Sequence, residues 1–276
     1  MKNVSYLFLA AITVSSVFTA CKKTETPAGP AAVNVVQVQN ALVVEPTATW
    51  CGPCGTYGKP ATDIALQDNA KAFGIYAHLK APASDFASQL GQDLAVMYGA
   101  ANATGTSYSI PKIAVGNNVT GAYSDINYTA NILKGWINTI TSGVSKANTK
   151  IDASISGSTL TVKTNTKFFA NGDDSFTYKI ALYLTEDGIS NRQYMSATSS
   201  YQTITHNHVS RALISGSATG DNLLASGLPT AGQIVAKEYT LNLDAAWNKS
   251  NLSVMAVIWK QKGTALTFVN VDKVDL

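Results

Sequence analysis

A pair of cysteines separated by two residues constrains this chain more than any other feature. The segment Ala48-Thr49-Trp50-Cys51-Gly52-Pro53-Cys54 follows an apolar run, Ala41-Leu42-Val43-Val44, which predicts a short buried strand. Two cysteines at this spacing, just after a strand, are typical of a redox-active turn. We therefore expect the first part of the fold to be built around this turn.

The residues of the turn suit thiol–disulfide exchange. The thiolate is the attacking species, so the first cysteine needs a lowered pKa. A helix that begins at Cys51 would direct its positive end at that sulfur, and Pro53 suits a first turn because it has no N–H to satisfy. Two intervening residues place Cys54 within reach of a mixed disulfide. We expect Cys51 to be the exposed attacking residue and Cys54 the more buried resolving one, with Trp50 shielding one side.

The first 20 residues predict a secretory signal peptide. Lys2 gives a positive start, Tyr6–Phe18 form a short apolar stretch, and small residues precede Cys21. A cysteine at this point resembles the lipobox of bacterial lipoproteins, in which the thiol receives a diacylglycerol. The alternative is ordinary cleavage that leaves a free Cys21. Residues 21–33, rich in Pro, Thr and Ala, predict a tether.

The three cysteines and the charge balance narrow the classes of function. If Cys21 is lipidated, Cys51 and Cys54 remain as one pair, and such a pair closes too small a loop to be a structural staple. A redox use is therefore favoured. The formal net charge of +3 and the lack of a Lys/Arg cluster argue against a nucleic-acid partner.

Residues 34–145 alternate strands with helices. The strand candidates are Val33–Val38, Ala41–Val44, Phe73–Leu79 and Ile110–Gly116, and the helix candidates are Pro60–Lys71, a helix from Ser84 or Asp85 to Tyr98, and Asn127–Thr141. Such alternation predicts an α/β sheet.

Residues 150–276 show alternation without a good helix. A hairpin is predicted from Ile151–Ile155 and Leu160–Thr166, and further strands from four later stretches, which are Phe176–Thr185, Ile234–Leu243, Leu252–Lys260 and Leu266–Val274. Several short strands at this spacing predict an all-β, Ig-like sandwich. We place the domain boundary at Gly143–Thr149.

The motif Trp50-Cys51-Gly52-Pro53-Cys54 matches that of the thioredoxin family residue for residue, so residues 34–145 resemble a thioredoxin-like domain. Ile110-Pro111 resembles the family's cis-proline loop, which implies a cis bond at Pro111 and a place opposite the cysteines. Glu45 lies six residues before Cys51, where the family carries a buried acid that moves protons for the resolving cysteine. For Glu45 the alternative is a solvated residue at a strand end.

Two departures from the family pattern affect the expected activity. Gly55-Thr56-Tyr57-Gly58-Lys59-Pro60 lacks helix-forming residues. The helix whose positive end would lower the pKa of Cys51 is therefore expected to be weak. The span from Cys54 to Pro111 is also longer than in plain thioredoxin.

The whole chain resembles a narrower family, the 28-kilodalton outer-membrane-protein family of Bacteroidetes lipoproteins. The resemblance rests on a lipoprotein signal, a thioredoxin-like domain and a β-domain containing His206-Asn207-His208-Val209-Ser210-Arg211-Ala212. It implies a lipid-anchored protein of the outer membrane, on its periplasmic or its surface face.

Histidines do not predict a metal site. His206 and His208 would share one face of a strand, but His78 lies in the other predicted domain, and we expect His78 to be a solvated strand-end residue. The pair at His206 and His208 is better explained as a polar patch, and no metal or other cofactor is implied.

Two functions remain open. The first is a membrane-anchored thiol–disulfide oxidoreductase whose partners are protein thiols or disulfides. The second is a surface binding or adhesion lipoprotein that keeps the thioredoxin fold as a non-catalytic scaffold. Fold alone does not decide between them.

Overall fold

The strand before the cysteine turn forms as expected and lies inside the main sheet. In the computed structural model, which describes residues 33–80, 82–173 and 176–276, β1 spans Ala41–Thr47 and is buried along its whole length. Its mostly small and branched apolar residues suit a strand that is covered on both faces. The predicted signal peptide, Cys21 and the tether before Val33 lie outside the described residues.

Strands outnumber helices in the part of the chain that the structure describes. The helical elements are a π-helical turn at Cys54–Gly58, α1 (Lys59–Gln67), α2 (Gln89–Met97), α3 (Ile126–Thr141) and a 3₁₀ turn at Lys249–Asn251. The strands after β1 are β2 (Ala72–His78), β3 (Lys112–Val115), β4 (Asn118–Gly121), β5 (Ala147–Ser156), β6 (Thr159–Phe168), β7 (Thr177–Glu186), β8 (Ile189–Met195), β9 (Ser200–His206), β10 (Val209–Leu213), β11 (Asp221–Asn222), β12 (Ile234–Asn242), β13 (Leu252–Lys262) and β14 (Ala265–Asp275).

Capping residues set where two of the helices begin. The Asp125 side chain accepts from the N–H of Tyr128, so α3 begins at Ile126, one residue before the predicted start. Ser88 accepts from the N–H of Gly91, so α2 begins at Gln89 and the predicted start at Ser84 or Asp85 is wrong.

Two other predicted bounds change. α1 ends at Gln67, four residues before the predicted end at Lys71. The predicted strand Val33–Val38 is also wrong, because these residues belong to no strand of the described chain.

The main sheet runs through both halves of the chain. Its nine strands follow the order β14-β13-β7-β10-β2-β1-β3-β4, with β11 beside β7. The two halves meet where β10 pairs with β2 in parallel, and the N–H of Tyr76 donates to the carbonyl oxygen of His208 at 2.8 Å. The cysteine turn therefore follows a strand that lies near the centre of a sheet completed by the second half.

Apolar clusters fill both sides of this sheet. On one side α1 and α3 pack on β1 and β3 through residues such as Leu133 and Ile137. On the other side α2 packs on β1 and β2, and Tyr183 and Trp259 extend the same cluster. A second sheet, of order β12-β6-β5, covers β7 and β13 through a third cluster that contains Leu160.

A buried asparagine connects the chain segments that join the halves. Asn270 on β14 donates through its side-chain nitrogen to the carbonyl oxygens of Val38 and Ala147 and to the Ser145 hydroxyl. Its side-chain oxygen accepts from the N–H of Asn40. The side chain of Asn270 thus links three parts of the chain by hydrogen bonds: the segment before β1, the segment where α3 leads into β5, and β14 itself.

The β-rich part of the predicted fold class is confirmed. The predicted hairpin exists as β5 and β6, which are longer than expected. Residues 34–276 form one compact unit. The division into domains 34–145 and 150–276 stays a prediction. In the structure, strands from both ranges lie in the same nine-stranded sheet.

Candidate active site around the cysteine pair

The two cysteines lie where β1 passes into the first helical turns. Cys51 and Cys54 form a disulfide with a Cα–Cα distance of 5.2 Å. The N–H of Cys54 points at the Cys51 sulfur at 3.2 Å, and the N–H of Gly55 donates to the Cys51 carbonyl oxygen. A sulfur held at a helix start by a backbone N–H is in a position that favours the thiolate once the disulfide opens.

The predicted exposure of Cys51 is wrong. Cys51 is 4% exposed and Cys54 is 1% exposed, so neither sulfur is open to a partner in this conformation. The reason lies in the second half of the chain, where β8 and β9 form a two-stranded hairpin that lies over the turn.

The hairpin contacts the turn through its main chain and one amide side chain. The N–H of Tyr194 donates to the carbonyl oxygen of Thr49 at 2.7 Å, and the N–H of Ser196 donates to that of Gly52 at 3.4 Å. The side-chain amide of Gln193 donates to the carbonyl oxygens of Ala48 and Cys51. We refer to residues 189–206 as the covering hairpin.

Two glycines of the turn admit this close approach. A Cβ at Gly55 would lie 2.6 Å from Cγ of Gln193 and 2.8 Å from Sδ of Met195. A Cβ at Gly52 would collide with the Ser196 hydroxyl. Gly52 and Gly55 therefore allow the covering hairpin to pack closely on the turn, whereas Gly58 faces Glu45 and Pro111.

Glu45 is buried below the turn. It is 0% exposed, which excludes the solvated alternative, and Thr62 donates to its Oε2 at 2.7 Å. Its Oε1 lies against Gly58 and has no hydrogen-bond partner among the described residues. Burial raises the pKa of Glu45 to about 8, so the carboxyl carries a proton at neutral pH.

The remaining predicted site residues also lie close to the cysteines. Ile110 packs in the same apolar cluster as Cys51 and Cys54, and the Ile110–Pro111 bond is cis. Trp50 packs edge-on against Tyr108, with ring centroids 5.2 Å apart, and its indole N–H donates to the carbonyl oxygen of Pro82. Pro53 lies in the first helical turn.

The histidines are arranged differently from the expectation. His78 is buried rather than solvated, and its Nδ1 is 2.9 Å from the Ser84 hydroxyl. His206 ends β9, while His208 has a left-handed φ of 56° outside any strand, so the two do not share a strand face. His78 and His206 both pack edge-on against Phe86.

Burial lowers the pKa of both buried histidines, that of His206 to about 4. Within the described residues, no group of three His, Cys, Asp or Glu side chains is arranged to hold a metal ion.

Sequence reasoning missed Gln193, Tyr194 and Ser196. The segments Ile189–Met195 and Ser200–His206 do carry a strand signal, with Tyr, Ile and Thr around a short polar turn. Nothing local in that signal indicates which part of the chain the hairpin covers. Among the helices of the described chain, none has the length and apolar character needed to cross a bilayer.

Comparisons with solved structures show which known proteins this chain is similar to. It is similar in structure to HBP35 of Porphyromonas gingivalis, with a TM-score of 0.67 at 15% identity over 88% of this chain and 77% of that one, which shows a shared fold. A domain of the outer membrane lipoprotein Omp28 from Porphyromonas gingivalis aligns at 16% identity over 49% of this chain and 90% of that one, with a TM-score of 0.34. No curated protein matches the chain significantly.

Comparison with protein-family models shows the family to which the chain belongs. The family model described as "Outer membrane protein Omp28" matches residues 122–276, more than half of the 276-residue chain. The match includes the covering hairpin and excludes the cysteine turn. The location that this family implies is the outer membrane, as expected. The chain thus belongs to the outer membrane protein Omp28 family.

Proposed function

We propose that this protein is a thiol–disulfide oxidoreductase held at the outer membrane. The observation that carries the proposal is the Cys51–Cys54 disulfide at a helix start, with the N–H of Cys54 directed at the Cys51 sulfur. Support also comes from the strand order around the turn, since β2, β1, β3 and β4 with helices on both faces fit a thioredoxin-like domain. The partners are protein thiols or disulfides.

The exchange step uses groups that surround the turn. A partner thiolate attacks the Cys51 sulfur, the Cys51–Cys54 bond breaks, and a mixed disulfide forms while Cys54 leaves as a thiolate. Glu45, protonated and buried beside Gly58, supplies the proton to Cys54. The partner's second thiol then attacks the partner sulfur of the mixed disulfide, and Cys51 leaves and takes up that thiol's proton. Glu45 regains from solvent the proton that the partner's first thiol lost, so the net transfer is two electrons and two protons from the partner dithiol to the pair. The reverse sequence reduces a partner disulfide.

Insulin reduction by the full chain, purified in detergent with dithiothreitol as the electron source, tests this function. We expect Cys51→Ser to abolish the catalysed rate and Cys54→Ser to accumulate a mixed disulfide. Cys21→Ser is the matched control and keeps the full rate, because Cys21 takes no part in the exchange. Equal rates for the wild type and Cys51→Ser would refute the proposal.

A second candidate is a surface binding lipoprotein whose cysteine pair stays oxidised. The observation in its favour is the burial of Cys51 under the covering hairpin. Alkylation of intact cells followed by mass spectrometry separates the candidates. A permanently oxidised pair in growing cells favours binding, and a measurable dithiol fraction favours exchange.

We infer that the anchor is a lipid on Cys21, as the lipobox-like segment suggests. Cys21→Ser should move the protein from the membrane fraction to the soluble fraction and remove incorporation of a labelled fatty acid. Retention of both signals in Cys21→Ser would contradict the lipid anchor.

A further inference from the structure

The covering hairpin stands apart from the rest of the fold. Among the strands of the described chain, β8 and β9 pair only with each other, although the chain leaves β7 and returns to β10 in the main sheet. Two-stranded hairpins are at best marginally stable on their own in water. The hairpin therefore depends on its contacts with the cysteine turn and on its base.

The hairpin meets the turn and its surroundings through a small, mixed face. Of its two strands Gln193 and His206 are buried, while Tyr194 and Met195 lie against Gly52 and Gly55 and His206 packs against Phe86. Beyond the contacts to the turn, Arg192 forms an ion pair with Asp85 at 2.9 Å that lies mostly in solvent. Solvent-exposed ion pairs contribute little to stability. Opening the hairpin thus exchanges hydrogen bonds with protein for hydrogen bonds with water and uncovers the small cluster around the cysteines, whereas the three large apolar clusters contain no residue of the hairpin.

The base of the hairpin has two residues suited to a pivot. Gly188 has a φ of 74° and His208 a φ of 56°, so both ends of the hairpin leave the sheet by left-handed residues. The N–H of Gly188 donates to the side-chain oxygen of Asn207, and His208 lies 3.0 Å from Asp187. Hinges are commonly a few such residues at the ends of elements.

A closed hairpin and disulfide exchange exclude each other. A thiolate must reach one sulfur of the disulfide directly, but Cys51 is only 4% exposed. What covers the turn is the end of β8 and the first residue after it, whose N–H groups, from Tyr194 and Ser196, donate to the carbonyl oxygens of Thr49 and Gly52. The backbone N–H groups of an extended partner segment can satisfy the same acceptors.

We infer that the covering hairpin is a gate, a tethered segment that occupies the site of an extended polypeptide over the disulfide and must swing away before exchange. This rests on the proposed function for its purpose. The gate can nevertheless be tested without any enzymatic activity, because it predicts that the rate at which any thiol opens the disulfide depends on the hairpin. A partner with an unfolded or strand-like segment is the class of substrate that fits the vacated backbone acceptors.

Opening of the disulfide by dithiothreitol in the full chain tests the gate. The rate is followed by alkylation and mass spectrometry, which needs no catalytic turnover. In the truncated variant, Asn-Gly replaces residues 191–204 and joins the Ser190–Thr205 pair. We expect its disulfide to open at least about tenfold faster than in the wild type, because local opening is no longer required. Equal rates would overturn the gate.

Point variants keep the test valid if the truncated chain does not fold. Gln193→Ala removes the side-chain hydrogen bonds to the turn, and Arg192→Ala removes the outer ion pair. Gln193→Ala should speed opening by about threefold or more, and Arg192→Ala by a smaller factor, because its ion pair is exposed. Lys163→Ala, which breaks a similarly exposed ion pair with Glu238 on the second sheet, is the matched control and should change nothing. A wild-type rate in Gln193→Ala would overturn the gate.

Insulin reduction by the same proteins distinguishes the two proposals. Faster disulfide opening without insulin turnover in any variant supports the gate and contradicts the proposed function. Insulin turnover that is unaffected by the truncation, with unchanged disulfide opening, supports the function and contradicts the gate.

Discussion

The side-chain amide of Gln193 donates to the main-chain carbonyl oxygen of Cys51 at 3.0 Å, across 142 positions of the sequence. Gln193 is itself buried and also reaches the carbonyl oxygen of Ala48. The contact ties the main chain of the cysteine turn to the second half of the chain. We therefore expect substitutions on either side of it to affect both the turn and the covering hairpin.

Gly55→Ala is expected to destabilise the protein and loosen the covering hairpin. The added Cβ would lie 2.6 Å from Gln193 Cγ and 2.8 Å from Met195 Sδ. We expect a loss of about 1–3 kcal/mol in the free energy of unfolding, typical of overpacking. Urea unfolding followed by circular dichroism measures it. Gly135→Ala on α3 is the control, since nothing lies within 4 Å of its Cβ, and it should be neutral or stabilising.

Glu45→Gln is expected to flatten the loss of stability at higher pH. The pKa of Glu45 is raised by burial from 4.5 to about 8, so between these values the folded state keeps a proton that the unfolded state has lost. Stability therefore falls as the pH rises through this window, by about 3–5 kcal/mol in total. Urea unfolding between pH 5 and 8 measures the slope, and Glu238→Gln, at an exposed site, should keep it. A slope retained in Glu45→Gln would contradict the burial argument.

His206→Asn is expected to flatten the opposite limb of the profile. Burial lowers the pKa of His206 to about 4, so between pH 4 and 6.5 the unfolded state binds a proton that the folded state does not. Stability then rises with pH across this window, by about 2–3 kcal/mol for this residue. Thermal unfolding at pH 4.5 and 6.5 compares the wild type, His206→Asn and Gln202→Asn, whose side chain lies on the exposed part of the same strand. An unchanged pH difference in His206→Asn would refute the assignment.

Asn270→Ala is expected to cost about 3–5 kcal/mol in the free energy of unfolding, because it leaves several buried backbone groups without partners. These include the carbonyl oxygens of Val38 and Ala147 and the N–H of Asn40. Chemical unfolding measures the loss. Asn242→Ala, at an exposed position on β12, is the control and should stay within about 0.5 kcal/mol of the wild type.

Local patterns suffice to predict much of the fold. α3 is predictable to within a residue because its cap, Asp125, and its apolar spacing both lie within the element. β1 and the β5–β6 hairpin are predictable for the same reason. The places of Glu45, Ile110 and Pro111 near the cysteines follow from the resemblance of their motifs to a known fold.

Long-range contacts are what the sequence does not reveal. From the local sequence alone, the glycines after Cys54 indicate a weak helix. In the structure, the missing side chain of Gly55 leaves the space that Gln193 occupies. His206 and His208 suggest one strand face, but the left-handed residue at His208 ends the strand pattern. The exposure of Cys51 depends on the covering hairpin, and no local propensity encodes that docking.

The cysteine pair and the segment that covers it are far apart in the order of synthesis. A chain is made from its N-terminus, and Cys51 precedes Gln193 by 142 residues. The covering hairpin cannot dock until residues 189–206 have been made. We therefore expect the Cys51–Cys54 disulfide to form before the hairpin closes over it.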